Sequence, residues 1–314
     1  MKAIVLEEFG GPDKLQVRDI DMPKVQAGEL LIQVKAAGIN PIDMASRAGE
    51  GAAGALELPF VLGWEIAGVV TEAGEGTQGF SQGDRVFGMT RFPQSGGGYA
   101  EFATAKASDM ALMPDKLGFA DAASVPMKAL TAWQALVENG KVAENDRVLI
   151  HGASGGVGHF AIQIARQLGA HVYGTCSPEN TDMVSALGCN TVIDYHQTDF
   201  FEVAQDLDLV LETIGGDEHT LRSISALKTN GKLVYLPGPM SDQSKQAAAE
   251  RQVKAEYMTV QPNGSQLRVL AEWLRDGRLK VCLGVSYSFD KISEAHRDLE
   301  KATVPGSVVL EVAE

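Results

Sequence analysis

The sequence has few cysteines, no cluster of basic residues and no long apolar run. Its three cysteines, Cys176, Cys189 and Cys282, are an odd number without close spacing. This excludes a disulfide framework and a Cys-x-x-Cys metal or redox unit, so we expect reduced thiols with mostly structural roles. The six histidines are scattered along the chain, and we interpret them as polar surface or capping groups.

The missing basic clusters and apolar runs also exclude two classes of partner. The formal net charge is −14, and no segment gathers Lys and Arg as binding to a phosphate backbone requires, so no nucleic acid partner is expected. No apolar run reaches the roughly 18 residues of a membrane span. The first residues include Glu7 and Glu8 and lack the apolar region of a signal peptide. We therefore expect a cytoplasmic protein without a membrane partner.

The residues that are present have the composition of a soluble globular protein. The chain has 314 residues, of which 45% are hydrophobic and 22% charged, and this length suffices for roughly two domains. Residues 1–120 consist of short strand-like runs broken by turn signals, which predict a mostly antiparallel β unit. Residues 121–257 alternate helices and strands, which predicts a doubly wound parallel sheet. Residues 258–314 contain too few elements for a domain, so we expect them to complete the first unit.

Two segments carry specific helix predictions. The stretch "DAASVPMKALTAWQALVENG", residues 121–140, has apolar residues at helical spacing and ends in glycine, which predicts a helix. The stretch "KQAAAERQVKAE", residues 245–256, is the single low-complexity patch, and we interpret it as a solvated helix.

The most informative stretch is "HGASGGVGHFAIQIAR", residues 151–166. It follows a predicted strand and opens a predicted helix, the context that a dinucleotide-binding loop requires. Gly155, Gly156 and Gly158 lack side chains, so a pyrophosphate can approach the backbone, and the N–H groups of the helix start attract its charge. The sequence therefore predicts a nicotinamide dinucleotide cofactor, although glycine-rich turns without a ligand also occur.

The end of the next strand bears on which dinucleotide is bound. A cofactor without a 2′-phosphate is usually held by Asp or Glu at this place, but here the strand ends in Thr175, Cys176 and Ser177, with no carboxylate before Glu179. Small hydroxyl side chains leave room for a 2′-phosphate, which favours NADPH over NADH. Against this, no Arg or Lys follows Ser177, and Asn180 has an acidic neighbour.

With these residues in view, the chain resembles the zinc-free quinone oxidoreductase branch of the medium-chain dehydrogenase/reductase superfamily. The resemblance covers essentially the whole chain. It is carried by "NDRVLIHGASGGVGHFAIQIAR", "MKAIVLEEFGGPDKLQV", "AAGINPIDMASRAG", "PFVLGWEIAGVV", "GGGYAEFA", "ALTAWQAL", "VIDY" and "PGSVVLEV". It implies an α/β fold in which a doubly wound parallel Rossmann sheet is inserted into a GroES-like, mostly antiparallel β domain. The active site would lie in the cleft between the two, and the protein would be a homodimer.

The resemblance also bears on zinc. Zinc-dependent members carry a Cys and a His at the places where this chain has Asn40 and Trp64, and neither Asn nor Trp is a suitable zinc ligand. A chain without zinc lacks the Lewis acid for alcohol oxidation. We therefore expect no zinc and a hydride transfer to an acceptor that is already polarised.

Several site residues follow from the resemblance. Asn40 would face the nicotinamide and substrate, and Thr131 would contact the nicotinamide end. The remaining cofactor-binding residues would be Ser154, Gly155, Gly156, Val157 and Gly158 around the pyrophosphate, and Ser177, Asn180 and Tyr195 around the adenosine 2′-phosphate. The structural alternatives are that Asn40 is a turn residue before Pro41, Thr131 an ordinary helical residue and Tyr195 a strand-end aromatic.

Lys128 departs from the family pattern, which has a small apolar residue at this place. Its cation could hold a substrate oxyanion, whereas a solvated helix face is the more common location of a lysine and is the one we expect. Asp43 and Tyr99 are further candidates for the pocket without an assigned role.

The sequence therefore predicts NADPH-dependent, metal-independent reduction of quinones or α,β-unsaturated carbonyls, with a proton from water. Two alternatives remain open. One is an enoyl-thioester reductase, although the acidic charge and the absence of Tyr from "RAGEGAAGALE" favour it less. The other is a crystallin-like protein that binds NADPH without turnover.

Overall fold

The computed structural model describes residues 1–301 and 304–312. The chain forms two compact units. Unit 1 contains Met1–Leu130, Gln261–Gly277 and the described residues from Val281 onward, and unit 2 contains Thr131–Val260 and Arg278–Lys280. Among the described residues, no helix combines the length and apolar character that crossing a membrane requires.

The strands and helices alternate in chain order as follows. The strands are β1 Lys2–Leu6, β2 Leu15–Asp19, β3 Glu29–Ile39, β4 Phe60–Val61, β5 Glu65–Ala73, β6 Arg85–Met89, β7 Phe102–Lys106, β8 Met110–Leu112, β9 Arg147–Ile150, β10 His171–Cys176, β11 Thr191–Asp194, β12 Leu207–Glu212, β13 Leu227–Tyr235, β14 Lys254–Tyr257, β15 Leu283–Ser288 and β16 Ser307–Glu311. The α-helices are α1 Pro41–Arg47, α2 Phe119–Ala123, α3 Pro126–Trp133, α4 Gly158–Gln167, α5 Thr181–Ala186, α6 Phe200–Val203, α7 Asp217–Ala226, α8 Asp242–Glu250, α9 Gly264–Arg275 and α10 Ile292–Glu300.

Unit 1 is built on two mostly antiparallel sheets. A three-stranded sheet has the order β2-β1-β4, and a seven-stranded sheet has the order β15-β16-β3-β5-β6-β8, with β7 also paired to β3. The strand β3 is buried along most of its length because it has neighbours on both edges and residues packed on both faces. The late strand β16 pairs antiparallel with β3, so the end of the chain contributes to the same sheet as its beginning.

Unit 2 is a single parallel sheet with the strand order β11-β10-β9-β12-β13-β14. Its central strands β9 and β12 are mostly apolar and buried, as strands covered on both faces are, and the core includes Leu149, Ile193, Val210 and Leu233. The order reverses between β9 and β12, and ligands of open α/β sheets bind at such a point, outside the carboxyl ends of the strands. The predicted fold class, a Rossmann-type parallel sheet with a mostly antiparallel β unit, is confirmed.

The helix predicted over residues 121–140 is wrong in its continuity. The structure has α2, then a break at Ser124 and Val125, then α3, which is followed by a π-helical segment Gln134–Asn139. The break comes directly before Pro126, because proline restricts the preceding residue to extended backbone and cannot donate a helical hydrogen bond.

The prediction of one solvated helix over residues 245–256 is also only partly right. Helix α8 ends at Glu250, and Lys254 begins β14, which pairs in parallel with β13. Gln252 has a φ of +57°, a left-handed conformation that ends the helix. The composition alone did not indicate this turn.

Candidate functional site

The glycine-rich loop of unit 2 connects β9 to α4 at the carboxyl end of the sheet. Gly152 has a φ of +61°, and its carbonyl oxygen accepts the N–H of Gly155 at 2.9 Å, which closes the turn. A Cβ on Gly158 would overlap this carbonyl oxygen and the backbone of Ala153. The helix can therefore begin here only because Gly158 has no side chain.

The predicted pyrophosphate residues all lie in this turn. Ser154, Gly155, Gly156 and Val157 are partly exposed, whereas Gly158 is buried at the first turn of α4. The first N–H groups of a helix have no partner within it and carry positive partial charge. The missing side chains leave space at this turn, next to the start of a helix. This arrangement fits the pyrophosphate of a dinucleotide.

The residues predicted for the adenosine end lie after the next two strands of the same sheet. Ser177 and Asn180 follow β10, and Asn180 Nδ2 donates to Ser177 Oγ at 2.9 Å. Tyr195 directly follows β11, and its side chain is 58% exposed. Both strand ends lie at the edge that carries the glycine-rich loop, because β9, β10 and β11 run parallel.

Unit 1 contains a polar group in an otherwise apolar interior. The Glu65 carboxylate, at the start of β5, is fully buried. It accepts hydrogen bonds from Asn40 Nδ2 at 2.9 Å and from the backbone N–H of Met127 at 2.8 Å, and it forms an ion pair with Lys128 Nζ. Gly38 of β3 makes room for it, since a Cβ there would overlap the carboxylate. We call Asn40, Glu65 and Lys128 the Glu65 group.

The expected position of Lys128 on a solvated helix face is wrong. Lys128 is only 5% exposed, and its ammonium pairs with Glu65. A lysine is tolerated in such a place only with a counter-charge, and the Glu65 carboxylate supplies it. The two residues are 63 positions apart, so local helical spacing could not indicate the pairing.

Asn40 combines the two interpretations that the sequence left open. It directly precedes α1, where its backbone N–H donates to Asp43 Oδ2 at 2.9 Å, and its side chain reaches Glu65. The Asp43 carboxylate also accepts the N–H of Gly63 at 3.0 Å. Burial raises the pKa of Asp43 to about 7 despite these hydrogen bonds. Asp43 therefore fixes the chain on both sides of the Glu65 group.

Thr131 and Tyr99 are both buried, as pocket residues can be. Thr131 lies on α3, three residues after Lys128. The Tyr99 ring packs edge-on against the imidazole of His296 at 6.0 Å between centroids. Burial raises the pKa of the Tyr99 hydroxyl well above its usual value.

The residues around Glu65 do not fit a zinc ion. Trp64 is fully buried, its indole Nε1 donates to the carbonyl of Gln94 at 2.6 Å, and its ring packs edge-on against Phe92. Asn40 offers its amide N–H to Glu65, and a lysine ammonium, which has no lone pair, pairs with the same carboxylate. This donor set neutralises a carboxylate and is not suited to ligate a metal.

The interpretation of the histidines as surface or capping groups is wrong for His151, His159 and His296, which are fully buried. Burial lowers the pKa of His151 to about 4 and that of His296 to about 3. Both imidazoles are therefore neutral at neutral pH and serve as interior hydrogen-bonding groups.

His151 belongs to a hydrogen-bonded chain at the carboxyl ends of β9 and β12. Its Nε2 lies 3.1 Å from Ser223 Oγ, which donates to Glu212 Oε2 at 2.7 Å, and His219 Nδ1 lies 3.0 Å from the same oxygen. Burial would raise the pKa of Glu212, but hydrogen bonds from His219 and Ser223 and the nearby imidazoles lower it to about 2. The three ionisable groups are close enough to share a cation, yet the Ser223 hydroxyl already accounts for their convergence.

The three cysteines all lie among the described residues, and none of them forms a disulfide. Burial raises the pKa of Cys176 to about 11 and that of Cys189 to about 12. Because the thiolate is the nucleophile, neither has the character of a reactive cysteine.

Sequence reasoning missed Glu65 and Glu212 as members of polar groups. Each is a carboxylate in an apolar run, "VLGWEIAGVV" for Glu65 and "LDLVLETIGG" for Glu212. An acidic residue inside a predicted buried strand is the signal that could have identified both, since buried charges require partners.

Comparison with known proteins agrees with this architecture. Residues 26–115 match the family model of the alcohol dehydrogenase GroES-like domain, and residues 187–310 match that of zinc-binding dehydrogenases. The two matches fall in the antiparallel and parallel parts of the chain, respectively, with the second extending into the final strands.

Relatives match over nearly the whole chain. Human quinone oxidoreductase is 30% identical, covering 95% of this chain and 94% of that protein. The chloroplast NADPH-dependent alkenal/one oxidoreductase of Arabidopsis thaliana is 30% identical, covering 99% and 79%. The solved quinone oxidoreductase of Coxiella burnetii superposes with a TM-score of 0.93 at 34% identity, covering 100% and 99%. The chain thus belongs to the quinone oxidoreductase branch of the medium-chain dehydrogenase/reductase superfamily and is an oxidoreductase.

Proposed function

We propose that this protein catalyses NADPH-dependent, metal-independent reduction of quinones or α,β-unsaturated carbonyls. The observation that carries the proposal is the Glu65 group, in which one buried carboxylate holds the amide of Asn40 and the ammonium of Lys128. Such fixed donors can stabilise negative charge that develops on a substrate oxygen. The names of the quinone and alkenal/one oxidoreductase relatives support the same acceptor classes.

The glycine-rich loop of unit 2 would hold the cofactor. The backbone of residues 154–158 would bind the pyrophosphate, and Thr131 would contact the nicotinamide end. Ser177, Asn180 and Tyr195 would surround the adenosine ribose. When bound, NADPH supplies a hydride. Binding and orientation of the cofactor are then the main contributions of unit 2 to the rate.

Lys128 and Asn40 would act on the acceptor. An ammonium has three N–H donors, and Glu65 takes one of them, so the others can hydrogen-bond a carbonyl oxygen. Bound NADPH would supply the hydride that a quinone or the β-carbon of an enone accepts. Lys128 and Asn40 would hold the acceptor's carbonyl oxygen while negative charge develops on it, and that oxygen would then take a proton from water. Glu65 keeps the ammonium and the amide in place during this step.

The test of the proposed function is oxidation of NADPH and of NADH at 340 nm with a panel of acceptors. The panel contains a benzoquinone, a naphthoquinone, a short enone, an enal and an enoyl-CoA. Turnover with a quinone or an enone supports the proposal. Turnover with the enoyl-CoA alone would make the protein an enoyl-thioester reductase, and binding of NADPH without any turnover would make it a cofactor-binding protein.

A variant pair tests the role assigned to Lys128. Lys128→Met keeps the length of the side chain and removes its charge, and we expect kcat/KM to fall about 100-fold, the usual effect of removing one oxyanion donor. The control is Lys116→Met, at an exposed position, which we expect to leave kcat/KM within twofold. Equal activity of the two variants would remove Lys128 from the site.

We also propose a homodimer, as the family resemblance implies. The strand β14 lies at one edge of the six-stranded sheet, and an edge strand offers unpaired backbone groups to a second chain. Sedimentation that shows only monomer would contradict this proposal.

A further inference from the structure

The turn after β10 holds a carboxylate at the place where the sequence left room for a 2′-phosphate. Ser177 Oγ donates to Glu179 Oε1 at 2.7 Å, and Asn180 Nδ2 donates to Ser177 Oγ at 2.9 Å. A serine hydroxyl has one proton to donate, and in this turn Glu179 accepts it. The hydroxyl predicted to bind the phosphate is therefore engaged by an anion of the chain itself.

The surrounding sequence offers no basic side chain to offset this charge. Between Arg166 and Arg222 the chain contains no Lys or Arg, whereas it contains ten Asp and Glu residues. Two of these, Glu179 and Asp182, lie within five residues of Ser177. The hydrogen bond from Ser177 lowers the pKa of Glu179, so the side chain is an anion at neutral pH. A 2′-phosphate dianion placed here meets like charge.

A carboxylate at this location suits a different ribose. Asp or Glu at the end of the second strand of a dinucleotide-binding unit accepts a hydrogen bond from the free 2′-hydroxyl of NADH. Glu179 is exposed and follows β10, the second strand of this unit in chain order. Its carboxylate has further lone pairs beyond the one that accepts Ser177, and these remain for a ribose hydroxyl.

We infer that Glu179 determines the cofactor preference of this enzyme by competing with the 2′-phosphate for Ser177, so that NADH is accepted alongside NADPH. The inference rests on the proposed function for its consequence in catalysis, because it concerns the adenosine end of the same cofactor site. For NADPH, Ser177 must turn from Glu179 to the phosphate. For NADH, the hydrogen bond of the free protein persists.

The test uses adenosine 2′,5′-bisphosphate and AMP as probes, which differ only in the 2′-phosphate, and measures their dissociation constants calorimetrically on the full-length protein. For the wild type we expect the two constants to agree within about threefold. Glu179→Gln keeps the shape of the side chain and removes its charge. We expect it to bind the bisphosphate about tenfold more tightly, the effect of removing one like charge near the surface, and to bind AMP no more tightly.

The matched control is Asp182→Asn, which changes the net charge equally two residues after Asn180, whereas the partners of the Ser177 hydroxyl are Glu179 and Asn180. We expect its two dissociation constants to stay within twofold of the wild type. Equal shifts in the two variants would overturn the inference in favour of a general charge effect. A wild type that binds the bisphosphate more than 30-fold tighter than AMP, or that binds neither probe, would overturn it as well.

These probes separate the inference from the proposed function. Neither carries a nicotinamide, so their binding does not depend on any acceptor. The expected gain of bisphosphate affinity in Glu179→Gln, found together with no turnover in the acceptor panel, would refute the reductase activity and leave the role of Glu179 standing. Turnover in which Glu179→Gln leaves the ratio of kcat/KM for NADPH and NADH unchanged would refute the role of Glu179 and leave the activity standing.

Discussion

The two candidate regions of this molecule use different chemical groups, side chains in one and backbone in the other. The Glu65 group places an ammonium, a carboxylate and an amide in the interior of unit 1, where every function depends on a side chain. Four of the seven residues of the loop 152–158 in unit 2 are glycines, and Gly158 has no space for a side chain. The Glu65 group contains a buried ion pair, and the glycine-rich loop exposes backbone groups.

Because of this difference, the two regions should respond differently to substitution of their residues. A buried ion pair is sensitive to loss of one partner, because the other charge then remains in a medium that cannot solvate it. A backbone site is insensitive to loss of a side chain and sensitive to gain of one, because added atoms meet the main chain. The experiments that follow use this contrast.

The largest effect is expected for Glu65→Gln. The substitution leaves the ammonium of Lys128 buried without a counter-charge, and we expect the free energy of unfolding to fall by about 3–5 kcal/mol. Urea unfolding followed by tryptophan fluorescence measures the change. A loss below about 1 kcal/mol would show that Lys128 reaches solvent without Glu65.

The double variant Glu65→Gln with Lys128→Met is the control for that result. It removes both charges, so we expect it to be more stable than Glu65→Gln alone by at least about 1 kcal/mol, the sign of direct coupling between the two residues. Additive losses would contradict the ion pair.

The same contrast explains how much the sequence could predict. The loop depends on residues within eight positions of one another, so the glycine spacing of 151–158 indicated it directly. The Glu65 group joins the start of α1, β5 and α3 through residues 25 and 63 positions apart. No local pattern reports such a distance, and Lys128 was expected at the surface for that reason. The spacing of the predicted strands and helices indicated both sheets. The helix break before Pro126 arises because proline restricts the backbone of the preceding residue, which the apolar spacing of the segment did not reveal.

The second prediction concerns acid stability and the neutral imidazole of His151. The folded pKa of about 4 lies below the ordinary histidine pKa of 6.5, so the unfolded chain takes up a proton first as the pH falls. The contribution of His151 to the free energy of unfolding is fully present above pH 6.5. It is lost progressively between pH 6.5 and 4, and the total loss is about 3 kcal/mol. Unfolding measured at both ends of that pH range should show that His151→Gln loses about 3 kcal/mol less stability than the wild type as the pH falls.

Three other groups bear on this experiment. Burial raises the pKa of Asp43 to about 7, so Asp43 stabilises the protein as the pH falls through the same range, and only the difference between variant and wild type reports His151. Glu212, whose pKa of about 2 lies below the ordinary glutamate pKa of 4.5, loses its stabilising effect only below the range in which most of the His151 effect occurs. His296 has a lowered pKa as well, so some slope should persist in the variant. An unchanged slope would show that His151 is not a buried neutral base.

The third prediction adds a methyl group to the backbone site. Gly158→Ala forces the Cβ against the Gly152 carbonyl, and we expect a loss of about 1–3 kcal/mol in stability together with weaker NADPH binding. The matched variant is Gly155→Ala, whose Cβ would lie 3.2 Å from the same oxygen, so a small shift relieves it. Thermal unfolding of the two variants should rank them in that order, and the reverse order would contradict the close packing at Gly158.

The smallest effect is expected where a side chain is removed from the backbone site. Ser154→Ala deletes a partly exposed hydroxyl from the turn while leaving every backbone N–H in place. If the main chain and the start of α4 bind the pyrophosphate, the dissociation constant for NADPH should rise by less than about threefold, and equilibrium titration of cofactor fluorescence can resolve such a change. A rise above tenfold would mean that the Ser154 hydroxyl binds a phosphate oxygen directly. The loop would then resemble the Glu65 group in depending on a side chain, and the contrast between the two regions would not hold.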